Sequence, residues 1–290
     1  MSKKQKMYAV LPTMLTLCNA ACGFGAITFA AKLGPTPTGN LGGNELLIAG
    51  MLVYLAMVFD AFDGSAARLF NQTSDFGAQL DSLCDAISFG VAPAYLMLQI
   101  MVHSFGDDAI AGLNYHPRLL WVIAVLYVMC AILRLARFNV ETDEDDSHDF
   151  FSGLPSPAAA GVVASFPIAL YDLRDLAVVS EGTVAHDAAR FLLPTIKLLI
   201  PLITLGVACL MVTRFRYSHV FNQLFRGQRS RRHIIQLMLT VITIFLVREL
   251  AVPVFFLYFA FSAPITSAWR EVMQGRNKSA FRAGNETPSV

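Results

Sequence analysis

The chain has 290 residues, of which 55% are hydrophobic and only 15% are charged, and its formal net charge is +1. With a mean hydropathy of +0.54, this composition excludes an ordinary soluble domain and indicates a helical membrane protein. The basic residues gather beside apolar stretches, which is typical of a topology signal and not of a nucleic-acid-binding surface.

Apolar stretches of about 20 residues, separated by helix breakers, predict a series of transmembrane helices. We expect eight spans, at 8–31, 46–69, 76–101, 118–138, 156–172, 192–213, 233–247 and 250–268. The last two form one apolar tract interrupted by Arg248 and Glu249, which fits either a tight hairpin or one bent helix. The predicted fold class is an all-α, polytopic membrane helical bundle.

The distribution of Lys and Arg predicts the orientation of this bundle. An even number of spans puts both termini on the same side, and a cytoplasmic N-terminus places most basic residues at the cytoplasmic face, including the cluster from Arg214 to Arg232. The first span is longer than the apolar core of a signal peptide, so we expect it to be retained. The predicted location is the cell (inner) membrane.

Four aspartates lie within or at the ends of the second and third predicted spans. Placing a carboxylate inside the membrane costs free energy, so such residues usually have a function. Asp60 and Asp63 are spaced i, i+3, so their side chains project from one face of a helix. The i, i+4 spacing of Asp81 and Asp85 has the same consequence on the next helix. Two facing helices would therefore present four carboxylates to one pocket.

Carboxylates held so close together repel one another, and a cation is needed if all of them are to stay ionised. Oxygen ligands without His or Cys favour Mg²⁺ or Mn²⁺ over zinc. Two such ions can share bridging carboxylates, and a metal pair of this kind usually serves phosphoryl chemistry.

Small and basic residues beside the aspartates fit a diphosphate site. Gly64 and Ala67 remove bulk from the carboxylate face, and Gly77 does so on the partner helix. Arg68 stands one turn after Gly64, where its guanidinium can bind a phosphate in bidentate fashion. Facing acids also occur in ion-coupled transporters, and small residues are common packing sites. The spacing of both features against the aspartates favours the diphosphate interpretation.

The stretch from Asp60 to Asp85 resembles the signature of the CDP-alcohol phosphotransferase family. The matching pattern is Asp60-x2-Asp63-Gly64-x2-Ala67-Arg68-x8-Gly77-x3-Asp81-x3-Asp85. The resemblance implies a six-helix catalytic core, a CDP-linked lipid donor, an alcohol acceptor and two divalent metal ions. It implies metal binding by Asp60, Asp63, Asp81 and Asp85, a general-base role for Asp85, and contacts with CDP-diacylglycerol by Asp63, Gly64, Ala67, Arg68, Gly77 and Asp81.

Three further stretches resemble the phosphatidylserine synthase branch of that family: LPTMLTLCNAACGFGAI near the start, ILRLARFNVE ending at Glu141, and FSGLPSPAAAG at 151–161. A serine acceptor needs a cation for its carboxylate, and Arg134 and Arg137 are the candidates, with Asn139 beside them. Both arginines would equally suit anchoring of a helix end in the headgroup layer. Asn19 suits either the nucleotide pocket or a packing hydrogen bond.

The resemblance implies a transferase that moves the phosphatidyl group from CDP-diacylglycerol to the hydroxyl of L-serine and releases CMP. Glycerol 3-phosphate or inositol phosphate is the alternative acceptor, and an ion-coupled transporter is the alternative class. The expected partners are CDP-diacylglycerol, L-serine, the lipid bilayer and a second copy in a homodimer.

The expected organisation has four parts. Residues 1–213 form the six-span catalytic core, and 214–232 form a basic cytoplasmic loop. Residues 233–268 form a two-span hairpin, and 269–290 form a polar cytoplasmic tail.

Overall fold

The structure is a computed structural model that describes residues 3–32, 43–69, 75–103, 115–142, 151–179, 184–213, 216–217 and 252–266. These residues are almost entirely helical, which confirms the predicted fold class. The elements are α1 (Lys3–Ala31), α2 (Gly43–Leu69), α3 (Asp75–Asp85), a π-helix (Ala86–Val91), α4 (Ala92–His103), α5 (Pro117–Thr142), β1 (Phe151–Ser152), α6 (Ser156–Val179), α7 (Val184–Val212), β2 (Arg216–Tyr217) and α8 (Val252–Thr266).

Five helical segments of the described chain are long and apolar enough to cross a membrane. They are Thr13–Ala31, Asn44–Asp63, Phe76–Val102, Pro117–Val140 and Phe191–Val212. Two further apolar stretches, Ser156–Tyr171 and Val252–Thr266, are helical but shorter than 18 residues. The chain is therefore a polytopic membrane protein.

Most predicted spans coincide with helices, but some of their bounds are wrong. α6 continues to Val179, beyond the predicted end at 172, and α7 begins at Val184, before the predicted start at 192. Hydropathy marks only the part of a helix that lies in hydrocarbon, while the hydrogen-bonded backbone continues into polar surroundings. The span predicted at 233–247 lies outside the described residues.

The third span lies at the centre of the bundle. It consists of α3, the π-helix and α4 in one continuous run, and it contacts α1, α2, α5, α6 and α7. Its apolar window is 61% buried, more than that of any other of the five spans. Around it, α1 packs along α2, α2 packs on α6, and α7 packs on both α5 and α6.

Small side chains let α6 approach its neighbours closely. Residues 158–164 are all Ala, Gly or Val, and all are buried. A helix that is apolar and buried on every side belongs to the interior of a bundle. Tyr54 of α2 adds a polar contact, because its hydroxyl donates to the carbonyl oxygen of Gly161 at 2.7 Å.

The described part of α8 packs on α6 and α7 through aromatic rings. Phe256 lies against Gly161 and makes a ring contact with Tyr54 at a centroid distance of 5.4 Å. A Cβ atom at Gly206 would lie 3.4 Å from the tip of the Phe261 ring. Thus α8 packs over glycines of α6 and α7.

The segment before α6 is held against the end of α7. Phe151 and Ser152 pair with Arg216 and Tyr217 as two short antiparallel strands. The amide N–H of Leu154 donates to the carbonyl oxygen of Leu210 at 3.1 Å. This anchorage fixes the place where α6 begins.

Gly153 is required by the geometry of this segment. Its φ is +86°, and a Cβ atom there would lie 2.6 Å from the carbonyl oxygen of Met211. We expect Gly153→Ala to lower the free energy of unfolding by about 1–3 kcal/mol through backbone strain. Thermal unfolding in detergent measures the effect. Gly206→Ala is the matched control, because its new methyl group makes an ordinary contact, and equal stability of the two variants would contradict the prediction.

Candidate active site

Three of the four carboxylates that the aspartate spacing predicts in one pocket converge, from two neighbouring helices. Asp60 comes from the C-terminal part of α2, and Asp81 and Asp85 come from α3. One oxygen atom from each residue lies within 4.8 Å of the other two. Asp85 is buried, while Asp60 and Asp81 are half-buried. This group is hereafter called the aspartate cluster.

Asp63 lies beside the aspartate cluster but is not one of its three members. Its side chain is buried, and its Oδ2 accepts a hydrogen bond from the Thr16 hydroxyl of α1. Its charge, like that of Asp60, acts on Asp81. The structure therefore places Asp63 next to the cluster and ties it to α1.

Asn19 ties α1 to the other side of the cluster. Its side-chain Nδ2 donates to Oδ1 of Asp85 at 2.9 Å, and both residues are buried. Its backbone carbonyl oxygen accepts a hydrogen bond from Ser88 Oγ at 2.9 Å. Asn19 was expected either to line the nucleotide pocket or to make a packing hydrogen bond. The structure shows hydrogen bonds that join α1 to the helix carrying Asp85.

A π-helix begins immediately after Asp85. Wider helical turns of this kind are rare and are frequently found at functional sites. In this one Ser88, Phe89 and Gly90 are buried, and the Tyr127 hydroxyl of α5 donates to the carbonyl oxygen of Phe89 at 3.2 Å. The same turn packs against α1, because a Cβ atom at Gly23 would lie 2.7 Å from Cα of Ser88. The π-helix is thus fixed from both sides.

Arg134 of α5 interacts electrostatically with the aspartate cluster. Its charge acts on Asp85, and its Nη1 donates to Ser156 Oγ at 3.0 Å. Ser156 is fully buried at the start of α6. The structure therefore brings the stretch ILRLARFNVE into contact with the stretch FSGLPSPAAAG.

The other two residues predicted for serine lie further along α5. Asn139 Nδ2 donates to Ser82 Oγ at 2.9 Å, so its side chain is bonded to α3 next to Asp81. Arg137 is half-buried on the same helix.

The remaining predicted residues are located by backbone. Gly77 lies half-buried on α3, one turn before Asp81. Gly64, Ala67 and Arg68 lie on the last turns of α2, and their side chains are outside the described part of the chain. Their contacts with a diphosphate stay predictions.

The aspartate cluster fits a divalent cation. Oxygens bound to one Mg²⁺ at about 2.1 Å are at most about 4.2 Å apart, so carboxylates within 4.8 Å need only a small shift to share an ion. Asp81 Oδ1 is buried and has no hydrogen-bond partner in the described part of the chain, as expected for an oxygen that serves as a metal ligand. The donor set is entirely oxygen, which suits a hard ion.

Four polar residues of the site were not predicted from the sequence. They are Thr16, Ser82, Ser88 and Ser156. Thr16 stands three positions before Asn19, so one helical face carries both, and this polar spacing inside an apolar span was the available signal. The serines carried no such signal, since single hydroxyls are common in membrane helices.

Residues 9–246 match the family model described as CDP-alcohol phosphatidyltransferase. This match covers most of the chain and includes all four aspartates. The protein therefore belongs to the CDP-alcohol phosphatidyltransferase family, and the predicted family resemblance is confirmed.

Curated relatives give the match more detail. A CDP-diacylglycerol--serine O-phosphatidyltransferase of Mycobacterium tuberculosis is 33% identical over 155 residues, 52% of this chain and 46% of the relative. The protein of that name from Methanocaldococcus jannaschii is 39% identical over 121 residues, 42% of this chain and 51% of the relative. An archaetidylserine synthase of Methanothermobacter thermautotrophicus is 35% identical over 166 residues, which are 57% of this chain and 60% of the relative. The chain matches about half the length of these relatives.

Proposed function

We propose that this protein transfers the phosphatidyl group of CDP-diacylglycerol to the hydroxyl of L-serine, giving phosphatidylserine and CMP. The observation that carries the proposal is the aspartate cluster inside a membrane bundle of this family, together with the positive charge of Arg134 that acts on Asp85. Anionic oxygens that can hold a divalent cation suit a diphosphate donor. One cation next to them suits an acceptor with a carboxylate. The names of the relatives agree with both substrates.

In the proposed reaction Asp85 acts as the general base. It takes the proton of the serine hydroxyl while the hydroxyl oxygen attacks the phosphorus that bears diacylglycerol. The bond from this phosphorus to the bridging oxygen breaks, and CMP leaves. The hydrogen bond from Asn19 holds Oδ1 of Asp85, which leaves Oδ2 to take the proton.

We propose two ions of Mg²⁺ or Mn²⁺ as the cofactors, held by Asp60, Asp63, Asp81 and Asp85. When bound, they neutralise negative charge on the diphosphate oxygens. The hydrogen bond from Thr16 orients the Asp63 carboxylate beside the other proposed ligands. Gly64, Ala67, Arg68 and Gly77 would border the diphosphate on α2 and α3.

We place the carboxylate of the acceptor at Arg134. The Nε atom of this residue is buried and has no hydrogen-bond partner among the residues that the structure describes, whereas Nη1 is bonded to Ser156. A buried N–H without a partner is costly, and a substrate carboxylate would satisfy it. Arg137 and Asn139 complete the proposed serine region.

Arg134→Met is expected to raise the KM for serine by about 10-fold or more, because a hydrogen bond to a charged group contributes about 1.5–3 kcal/mol. The KM for CDP-diacylglycerol should change little. Steady-state kinetics of CMP release with each substrate varied in turn measures both constants. Arg118→Met is the matched control, because Arg118 is exposed near the other end of α5, about 24 Å away along the helix. Equal effects of the two variants on serine would contradict the assignment.

One assay tests the proposed function as a whole. Purified protein is given CDP-diacylglycerol and Mn²⁺, and CMP release is measured with L-serine, glycerol 3-phosphate, inositol phosphate or no acceptor. We expect release with serine and formation of phosphatidylserine. If CMP were released only with another acceptor, that acceptor would replace serine in the proposal. Uptake of solute into vesicles without any release of CMP would favour a transporter.

The proposed site faces the cytoplasm, and both termini lie on that side of the cell (inner) membrane. The C-terminal part of α2, the first turns of α3 and the C-terminal part of α5 share one end of the bundle, which supports a site at one membrane surface. Labelling of single cysteines in intact cells tests the orientation. Self-association as a homodimer stays a prediction, and cross-linking in native membranes tests it.

A further inference from the structure

The side-chain oxygen of Asn19 is a buried acceptor without a donor. Asn19 is 0% exposed, and its Oδ1 has no hydrogen-bond partner among the described residues. Its Nδ2 is already bonded to Asp85. A carboxylate only accepts hydrogen bonds, so the amide must turn its NH₂ group toward Asp85 and leave Oδ1 as the free acceptor. A buried polar atom left in this way costs about 1–3 kcal/mol and indicates a missing partner.

Arg134 supplies a buried donor that has no acceptor among the described residues. Its Nε is buried without a hydrogen-bond partner there, and the charge of Arg134 acts on Asp85. Asp85 is thus bonded to a residue with an unmet acceptor and interacts electrostatically with a residue that has an unmet donor. A molecule that fits all three must carry a proton to give to Asp85, a donor for Asn19 and an anionic acceptor for Arg134.

An α-amino acid with a side-chain hydroxyl has this set of groups. Its ammonium donates, its carboxylate accepts, and its hydroxyl lies close to both. Phosphorylated polyols bring anionic oxygens for Arg134, but they have no ammonium group for an amide oxygen. The polar atoms around Asp85 therefore favour an amino-acid acceptor.

We propose that Oδ1 of Asn19 binds the α-ammonium group of the acceptor and makes the site selective for an amino acid. The inference rests on the proposed function and adds a selectivity residue on α1 to it. Asn19 then has two roles. Its Nδ2 orients Asp85, and its Oδ1 binds the ammonium group of the substrate.

The test compares two acceptors that differ only in the ammonium group, L-serine and 3-hydroxypropanoate. Asn19→Leu has nearly the same shape but lacks the amide. We expect the ratio of kcat/KM for serine to that for 3-hydroxypropanoate to fall by about 10- to 100-fold in this variant. We also expect the KM for serine to rise and the KM for CDP-diacylglycerol to stay within about 2-fold. An unchanged ratio would overturn the inference and leave Asn19 with a role in positioning Asp85 alone.

Thr16→Val serves as the matched control. Thr16 lies one turn before Asn19 on the same face of α1, but its hydroxyl is bonded to Asp63. We expect this variant to keep the wild-type preference for serine, whatever its turnover. A similar loss of preference in Thr16→Val would trace the effect to the packing of α1 and overturn the inference.

A second variant keeps the inference testable if Asn19→Leu does not fold. Asn19→Asp keeps the shape of the side chain and an acceptor oxygen but replaces the donor to Asp85 by a second carboxylate. We therefore expect lower turnover with either acceptor, together with a preference for serine at least as strong as that of the wild type. A 10-fold lower preference in Asn19→Asp would contradict ammonium binding. Mn²⁺ titration of each variant separates the alternative in which Oδ1 is a metal ligand, since that role predicts a higher metal requirement with either acceptor.

The same measurements distinguish failure of the inference from failure of the proposed function. Wild-type protein that releases CMP with glycerol 3-phosphate and not with serine would refute the serine acceptor itself. Wild-type protein that uses serine, together with an unchanged acceptor ratio in Asn19→Leu, would refute only the role of Asn19.

Discussion

Asp85→Asn is expected to lower the turnover of the proposed phosphatidyl transfer by about 10²- to 10⁴-fold, the usual contribution of a general base. The amide has the shape of the carboxylate, but it cannot take the proton of the acceptor hydroxyl. The variant should still fold, because the new amide would occupy the same place on α3, beside Asn19 and the π-helix. CMP release from CDP-diacylglycerol and serine measures the rate, and thermal unfolding in detergent measures the fold.

Thr204→Val is a suitable control for this variant. Thr204 is also fully buried, and its hydroxyl donates to the carbonyl oxygen of Ile200, one turn earlier on α7. The substitution removes one buried polar group without touching the aspartate cluster, so turnover should stay within about 2-fold. Wild-type turnover of the purified Asp85→Asn variant would rule out a general-base role for Asp85.

The aspartate cluster could be predicted from the sequence because helical periodicity alone sets which face a side chain occupies. Asp81 and Asp85 are one turn apart, and any helix would present them together. The approach of Asp60 follows from a second rule, that consecutive spans joined by a short connection pack side by side. Carboxylates in an apolar helix must find a polar partner, which makes their convergence the expected outcome.

The contacts made by α1 could not be predicted in the same way. Thr16 is 47 positions from Asp63, and Asn19 is 66 positions from Asp85. Periodicity places Thr16 and Asn19 on one face, but the packing of α1 against two other helices decides which carboxylate each residue meets. Distant pairs of this kind depend on tertiary structure, which local spacing does not specify.

The π-helix could not be predicted from the sequence either. Residues 86–91 read AISFGV, a sequence that fits an ordinary helical turn. The wider turn is stabilised by partners from elsewhere: the Tyr127 hydroxyl bonds to Phe89, and the Ser88 hydroxyl bonds to the backbone of Asn19. Apolar periodicity predicts that a helix is present, but its hydrogen-bond register depends on these tertiary contacts.

Asp81→Asn is expected to remove most of the stabilisation that a divalent ion gives to the wild-type protein. A ligand that binds only the folded state at 100 times its Kd stabilises that state by about 2.7 kcal/mol. Asp81 is central to this effect, because its Oδ1 is buried without any partner among the described residues. The neutral amide leaves Asp60 and Asp85 as the charged members of the cluster, with Asp63 beside them, to hold the proposed ions. Thermal unfolding with and without Mn²⁺ measures the change independently of activity.

The same substitution at Asp187 provides the control for Asp81→Asn. Asp187 is exposed in the first turn of α7, so Asp187→Asn should keep the full response to Mn²⁺. A chelator should abolish CMP release by the wild type, and Mn²⁺ should restore it. If Asp81→Asn and the wild type gained the same stability from Mn²⁺ and bound it with the same affinity, the ion would lie elsewhere. The aspartate cluster would then have no role in holding a metal for phosphatidyl transfer.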